Sequence, residues 1–272
     1  MMSEAAVDAI TDEVFALLGT GRQTTPFSSR SDGLSLDDAY RVSRRVRSLR
    51  EGRGERPIGR KIGFTNRTIW EEYQVFAPIW GPMYDDTLFE LSDLADGFSV
   101  AHLAEPRIEP ELAFHFMAAP TPGMTERELL DCIDWVAHGF ELVQSIFPKW
   151  KFAAADTVAA YALHGAYLIG PRRAVLQHRD AWFRAIGDFE VELYRNGELV
   201  SRGHSSDVLD GPLSALKHLN DLLMVDTESP SISAGEIITT GTLTAAMPIE
   251  AGDTWSTIVK GIDLSGVSVT MI

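Results

Sequence analysis

The stretch Arg107–Phe116 places the firmest limit on the fold. Ile108, Pro110, Leu112 and Phe114 fall on one side of it, and Arg107, Glu109, Glu111, Ala113 and His115 on the other, which is the period-two pattern of a β-strand. One face must pack into an apolar layer. The other presents two glutamates whose Cα atoms lie roughly 6 to 7 Å apart, and side chains of that length can converge on one cation with oxygen ligands at about 2.0 to 2.4 Å. Without a cation they repel. The same spacing also fits a solvent-exposed strand face that carries two acids.

Around this strand the periodicity changes along the chain. Ser3 can cap a helix whose Val7, Ile10, Val14 and Leu17 recur at helical spacing, with Gly19 as the stop. Ser35 with Asp38 forms a capping box ahead of Ala39, Val42 and Val46, and Gly52 and Gly54 break that helix. From about Pro57 the signals become short strands and turns, so residues 1–56 read as a helical region and 57–272 as the catalytic unit. A helix opens at Thr125 with Glu128 as box partner. A hairpin turns at Asn196-Gly197, and another helix runs over Pro212–Met224. Glu236–Ile272 holds β-branched runs punctuated by Gly241, Gly252, Gly261 and Gly266, as in a curved sheet or roll. There is no internal repeat.

At 272 residues the chain can bury a proper core without disulfides, and its single cysteine, Cys132, cannot form an internal one. The acidic start and the lack of an apolar run near about 20 residues point to an unexported protein outside the membrane, in the cytoplasm. A formal net charge of -15 argues against nucleic acid. The run Arg44, Arg45, Arg47, Arg50, Arg53, Arg56 and Arg60 is either an anion-binding stripe or an ordinary solvated or subunit-contact face.

Two more residues call for partners. Glu141 sits just past the Thr125 helix, in the apolar run Phe140-Glu141-Leu142-Val143, where an ionised carboxylate needs a metal or an arginine. Lys61 lies between Gly59 and Gly63, which let a ligand approach the backbone; it suits an anionic carboxylate, or is simply solvated. Three carboxylates suit Mg2+ or Mn2+, whereas the seven histidines show no zinc-site spacing. No phosphate-cradling glycine motif occurs. His204, Ser205 and Ser206 lack a nucleophile elbow.

Gly59-Arg60-Lys61-Ile62-Gly63, Pro106-Arg107-Ile108-Glu109-Pro110-Glu111, Phe140-Glu141-Leu142-Val143, Asp156-Thr157-Val158-Ala159 and Ile237-Ile238-Thr239-Thr240-Gly241-Thr242 occur in one order. That order resembles the 2-keto-4-pentenoate hydratase and 4-oxalocrotonate decarboxylase branch of the fumarylacetoacetate hydrolase superfamily, over essentially the whole chain. The resemblance implies an α+β fold with a mixed β-roll core and an N-terminal helical region, Mg2+ or Mn2+ on Glu109, Glu111 and Glu141, and a homo-oligomer. It makes Lys61 and Asp86 the acid-base candidates, with Asp85 able to stand in for Asp86. Arg60, Gly63, Thr240 and Gly241 would line the substrate.

The implied activity is hydration of a 2-hydroxy-2,4-dienoate from aromatic meta-cleavage catabolism. A 2-oxo-3-enedioate decarboxylase, an acylpyruvate-type C–C hydrolase or a non-catalytic partner subunit are the alternatives. The sequence departs from the branch at Ala160-Tyr161-Ala162-Leu163-His164-Gly165, where a polar Asp-Asn stretch is usual. Tyr161 and His164 there either supply the substrate with a new hydrogen-bonding or acid-base group or fill space. A second departure puts an acid at Leu209-Asp210-Gly211-Pro212.

Overall fold

Ser3 and Ser35 each open a helix by satisfying a free amide of its first turn. Ser3 Oγ accepts from Ala6 N–H at 3.3 Å and Ser35 Oγ from Asp38 N–H at 3.2 Å, starting α1 (Glu4–Leu17) and α2 (Leu36–Gly52). The computed structural model describes the backbone of residues 1–272 and every side chain except those of Ile69, Glu72 and Tyr73. The chain continues through β1 (Pro57–Gly63), α3 (Trp70–Tyr73), β2 (Ile79–Tyr84), β3 (Leu88–Glu90), β4 (Arg107–Phe116), α4 (Glu126–Asp131), β5 (Ile133–Val143), α5 (Ala154–Ala159) and β6 (His164–Ala174). It ends with α6 (Arg179–Gly187), β7 (Glu190–Arg195), β8 (Glu198–His204), α7 (Pro212–Val225), β9 (Ile237–Thr239), β10 (Met247–Pro248), β11 (Thr254–Lys260) and β12 (Ser268–Thr270).

The larger sheet has the order β2-β1-β9-β4-β5-β6-β3, with β10 on the end of β4; the smaller runs β12-β11-β7-β8. β1 pairs parallel with β9, and β3 with β6, while the other pairings within the larger sheet are antiparallel. This is the α+β arrangement with a mixed sheet and a helical N-terminal region that the sequence implies. Ile108, Leu112 and Phe114 of β4 are fully buried. They pack with Val191, Leu193 and Trp255 of the smaller sheet and with Leu216 and Leu219 of α7, so the strand's apolar face is the layer between the sheets.

The stripes of α1 and α2 bury Val7, Ile10, Val14, Val42 and Val46 against α5 and against Val143, Ile146 and Phe147 at the end of β5. Asp156 on α5 fixes this contact, its carboxylate accepting from Ser28 N–H at 2.9 Å and from Ala153 N–H at 2.8 Å. The part of the signature order around Asp156 therefore ties the N-terminal region down.

Three readings of the sequence change. The part of the chain after Pro57 is less purely strand and turn than its signals imply, because α5 and α6 intervene. α6 follows His178, which stands in the left-handed region at φ 62° with no side-chain cap, so the usual capping residue does not mark its start. Glu141 does not follow the Thr125 helix directly, since α4 ends at Asp131 and Glu141 lies well inside β5. The arginine run is largely neutralised within the chain. Arg45 meets Glu4 and Asp8, Arg47 meets Glu51 at 2.7 Å, and Arg56 meets Asp85 at 2.8 Å. Arg60 leaves that face and is buried beside Glu236 at 3.4 Å.

Candidate active site

The pairing of β4 with β5 sets Glu109 directly opposite Glu141, with Glu111 two residues on and on the same face. Ligand-type oxygens of the three carboxylates all lie within 4.8 Å of one another. β1 contributes Lys61 from the same sheet, its Nζ 3.2 Å from Glu141 Oε2 and donating to Ala162 O at 3.2 Å. Gly241, just past β9, donates its N–H to Glu111 Oε2 at 3.0 Å. The second face of β4 is thus not the solvent-exposed acidic face its spacing also allowed: Glu111 has no exposed surface and Glu109 is only partly exposed.

Such a group is electrostatically unbalanced. Three carboxylates face one ammonium in contact with them, and at an effective dielectric of about 20 each like pair at such separations costs roughly 3 kcal/mol. Burial pushes the Glu109 carboxyl up to about 7, the Glu141 charge adding to it against the pull of Lys61. Burial and Glu141 hold Glu111 well above the ordinary range. Burial also opposes the charge on Glu141, but Lys61 and His164 overcome it, and its carboxyl falls below the usual value. For Lys61 burial works against the ammonium and the three glutamates outweigh it. Among the described residues Glu111 Oε1 has no hydrogen-bond partner, and Glu141 Oε2 faces Lys61 without hydrogen-bond geometry. Bare, buried, mutually repelling oxygens of this kind fit a hard divalent cation, which supplies the missing charge and accepts oxygen donors.

A cavity opens over the cluster. Of the residues expected to act there, Lys61, Gly63, Glu109 and Gly241 line it, and Glu111 and Glu141 complete the carboxylate group beneath. Gly241 has φ +94°, and a Cβ there would come 1.9 Å from Thr65 Oγ1, so glycine is required twice over. Five of the residues named from the sequence do not line the cavity. Arg60 is turned to Pro230 O at 2.8 Å, because its guanidinium is buried against Trp80 and Glu236. Tyr161 packs in the core under α1 and α2. His164 stands behind the cluster: its Nδ1 is 2.8 Å from Glu141 Oε1 and its Nε2 2.9 Å from Thr87 Oγ1. Thr240 is buried and does not line the cavity. Asp86 lies in a separate depression bounded by Arg50 and His164, with Arg50 3.2 Å away, because the turn after β2 carries it to the far side of His164; Asp85 pairs outward with Arg56.

Residues not anticipated form much of the wall. Phe64, Thr65, Trp150 and Phe152 line it, with Arg107 over the Trp150 ring at 4.2 Å. Tyr161, Ala162 and Leu163 form a run of non-glycine residues at φ +46°, +53° and +62°, which brings Ala162 and Leu163 to the cavity and Ala162 O to Lys61. No turn-forming residue announces such a run. His204 does touch Ser206 Oγ at 2.9 Å and Asp188 at 3.0 Å, but its Nδ1 accepts Ser206 N–H. It caps a surface turn with an exposed serine rather than activating a nucleophile in a cleft.

Residues 96–266 match the family model described as fumarylacetoacetate (FAA) hydrolase C-terminal. The chain is 29% identical over 271 residues to the 2-hydroxyhexa-2,4-dienoate hydratase of Comamonas testosteroni, covering 99% of this chain and 100% of that one. It is 31% identical over 230 residues to a 4-oxalocrotonate decarboxylase of Pseudomonas putida, covering 84% and 83%. Among solved structures, the 4-oxalocrotonate decarboxylase of Pseudomonas putida G7 complexed with magnesium and adipate superposes with a TM-score of 0.88 at 26% identity, over 100% of this chain and 99% of that one.

Proposed function

The chain belongs to the fumarylacetoacetate hydrolase family, and from that premise we propose that it is a metal-dependent hydro-lyase that adds water to a 2-hydroxy-2,4-dienoate of aromatic catabolism. The observation that carries the proposal is the buried group Glu109, Glu111 and Glu141, with its bare oxygens, beside Lys61 at the floor of a cavity. The three glutamates would hold Mg2+ or Mn2+, whose charge would stabilise negative charge on the 1-carboxylate and 2-oxo oxygens of the substrate.

The residues of the chain supply the rest. Lys61, an ammonium held by Glu141, gives a proton to the dienol carbon skeleton, regains one as the 2-hydroxyl loses its own, and is then a hydrogen-bond partner for the entering water. Its charge depends on the glutamates, so neutralising them lets burial pull its pKa back down, which suits a group that must both give and take a proton. Gly241 N–H holds Glu111, and the aromatic wall of Phe64, Trp150 and Phe152 keeps bulk water from the reacting carbons. We assign no proton transfer to Asp86, which stands across His164 from the cavity.

The reading includes a cytoplasmic homo-oligomer, with residues 1–56 as a helical cover on the catalytic unit 57–272. It is supported by a dienoate hydratase as a relative along almost the entire chain. Decarboxylation of a 2-oxo-3-enedioate is the second reading, supported by the relative at 31% identity. Incubation with 2-hydroxypenta-2,4-dienoate or its 5-methyl homologue and Mg2+ should abolish the dienol absorbance. Absence of metal-dependent loss with both would sink the hydratase reading, and CO2 released from 2-oxohex-3-enedioate would favour the decarboxylase.

A further inference from the structure

We propose that the Thr65 hydroxyl donates a hydrogen bond to an oxygen of the 2-oxo carboxylate head of the substrate, an inference that rests on the site's being one for 2-oxo acids. Thr65 is 1% exposed, yet its Oγ1 has no hydrogen-bond partner among the described residues. A buried hydroxyl left unpaired destabilises the fold, so its retention calls for a partner that comes and goes. Thr239 and Thr240 also carry unpaired buried hydroxyls, but neither lines the cavity, whereas Thr65 does, together with Lys61, Glu109 and Gly241.

Its placement is specific. Thr65 follows β1 four residues after Lys61, and Phe64 before it sits at φ +55°, a turn that swings the next side chain toward β9. Leu209 N–H donates to Thr65 O at 3.1 Å and fixes the backbone. The hydroxyl rests against Gly241, close enough that any Cβ there would displace it, and the Gly241 N–H holds Glu111. The unpaired hydroxyl therefore lies beside the carboxylate group, where the anionic head of a 2-oxo acid would sit. A hydroxyl facing a carboxylate or keto oxygen donates, since neither carries a proton to give.

The test compares Thr65→Val, which keeps the shape and removes the hydroxyl, with Thr65→Ser, which keeps the hydroxyl. Calorimetric titration with pyruvate in the presence of Mg2+ should show binding by the natural protein, a loss of about tenfold in Thr65→Val and less than about threefold in Thr65→Ser. Mg2+ affinity should be unchanged in both. The ligand-free Thr65→Val protein should melt at the same temperature or higher, because an unpaired group has been removed. Equal pyruvate binding by Thr65→Val overturns the proposal, as does a markedly lower melting temperature, which would mean that the hydroxyl has a partner in the fold. If the natural protein binds Mg2+ but no pyruvate, the reading of the site falls, and the role of Thr65 with it.

Discussion

Glu111 Oε2 is satisfied by Gly241 N–H, Glu111 Oε1 is bare, and burial together with Glu141 keeps the carboxyl well above its ordinary range. Glu111→Gln keeps the shape and removes the charge. It should weaken Mg2+ binding by more than the roughly 10- to 100-fold typical of outer-shell changes, while the metal-free melting temperature holds or rises. The sign of the pH response follows from Glu109. Its folded pKa of about 7 lies above the ordinary 4.5, so the native state keeps a proton that the unfolded chain releases. That contribution to the stability of the metal-free protein is complete below about 4.5 and is lost as pH rises through 7. A cation displaces the same proton, so apparent metal affinity should climb as pH rises through about 7, as isothermal titrations at several pH values would record. His164, held between Glu141 and Thr87, orients a ligand without touching the cavity. His164→Ala should lower metal affinity by about 10- to 100-fold.

At the level of strands and helices, β5 and β11 are joined through His138, whose Nδ1 lies 3.1 Å from Glu111 O and Nε2 2.9 Å from Thr257 Oγ1. A carbonyl only accepts, so Nδ1 carries the hydrogen; Nε2 then accepts the threonine hydroxyl, which in turn receives Val267 N–H at 3.0 Å. Burial holds this imidazole neutral down to about pH 4, against an ordinary value of 6.5. Its contribution is therefore present above 6.5 and lost as pH falls toward 4, roughly 3 kcal/mol in all. Subtracting the stability of His138→Asn from that of the natural protein across this range should expose that slope; a flat difference would contradict it. Elements with local punctuation were legible: the serine-capped helices, the Asn196-Gly197 hairpin and the alternating β4. The glutamate pair was legible for the same reason, since period two alone puts both on one face. Asp86 stands apart from the cavity, and order along the chain does not reveal on which side of His164 a turn will lie. Thr65, Trp150 and Phe152 reach the cavity only through loops whose paths are set by distant contacts, and the left-handed run at Tyr161–Leu163 has no glycine to mark it.

On the scale of the whole molecule, the helices of residues 1–56 share a core with the sheet. Ile79, Val143, Ile146, Phe147 and Val158 are all nearly or fully buried in the apolar cluster that α1 and α2 complete. Uncovering five such side chains at about 1.5 to 3 kcal/mol each forfeits about 10 kcal/mol, comparable to the roughly 5 to 15 kcal/mol that hold a domain together. A chain lacking residues 1–56 should be insoluble or melt without cooperativity by circular dichroism, and a soluble, sharply melting fragment would refute this.

The placement of Glu109 opposite Glu141 also makes the acids a lock on strand alignment. A slip of one residue between β4 and β5 would drive charged side chains into the oily layer between the sheets and turn leucine and phenylalanine toward the cavity. Misaligned forms are thus penalised twice, and only the correctly threaded chain can capture an ion. Metal uptake by freshly refolded protein becomes a direct measure of how much of a preparation is correctly threaded.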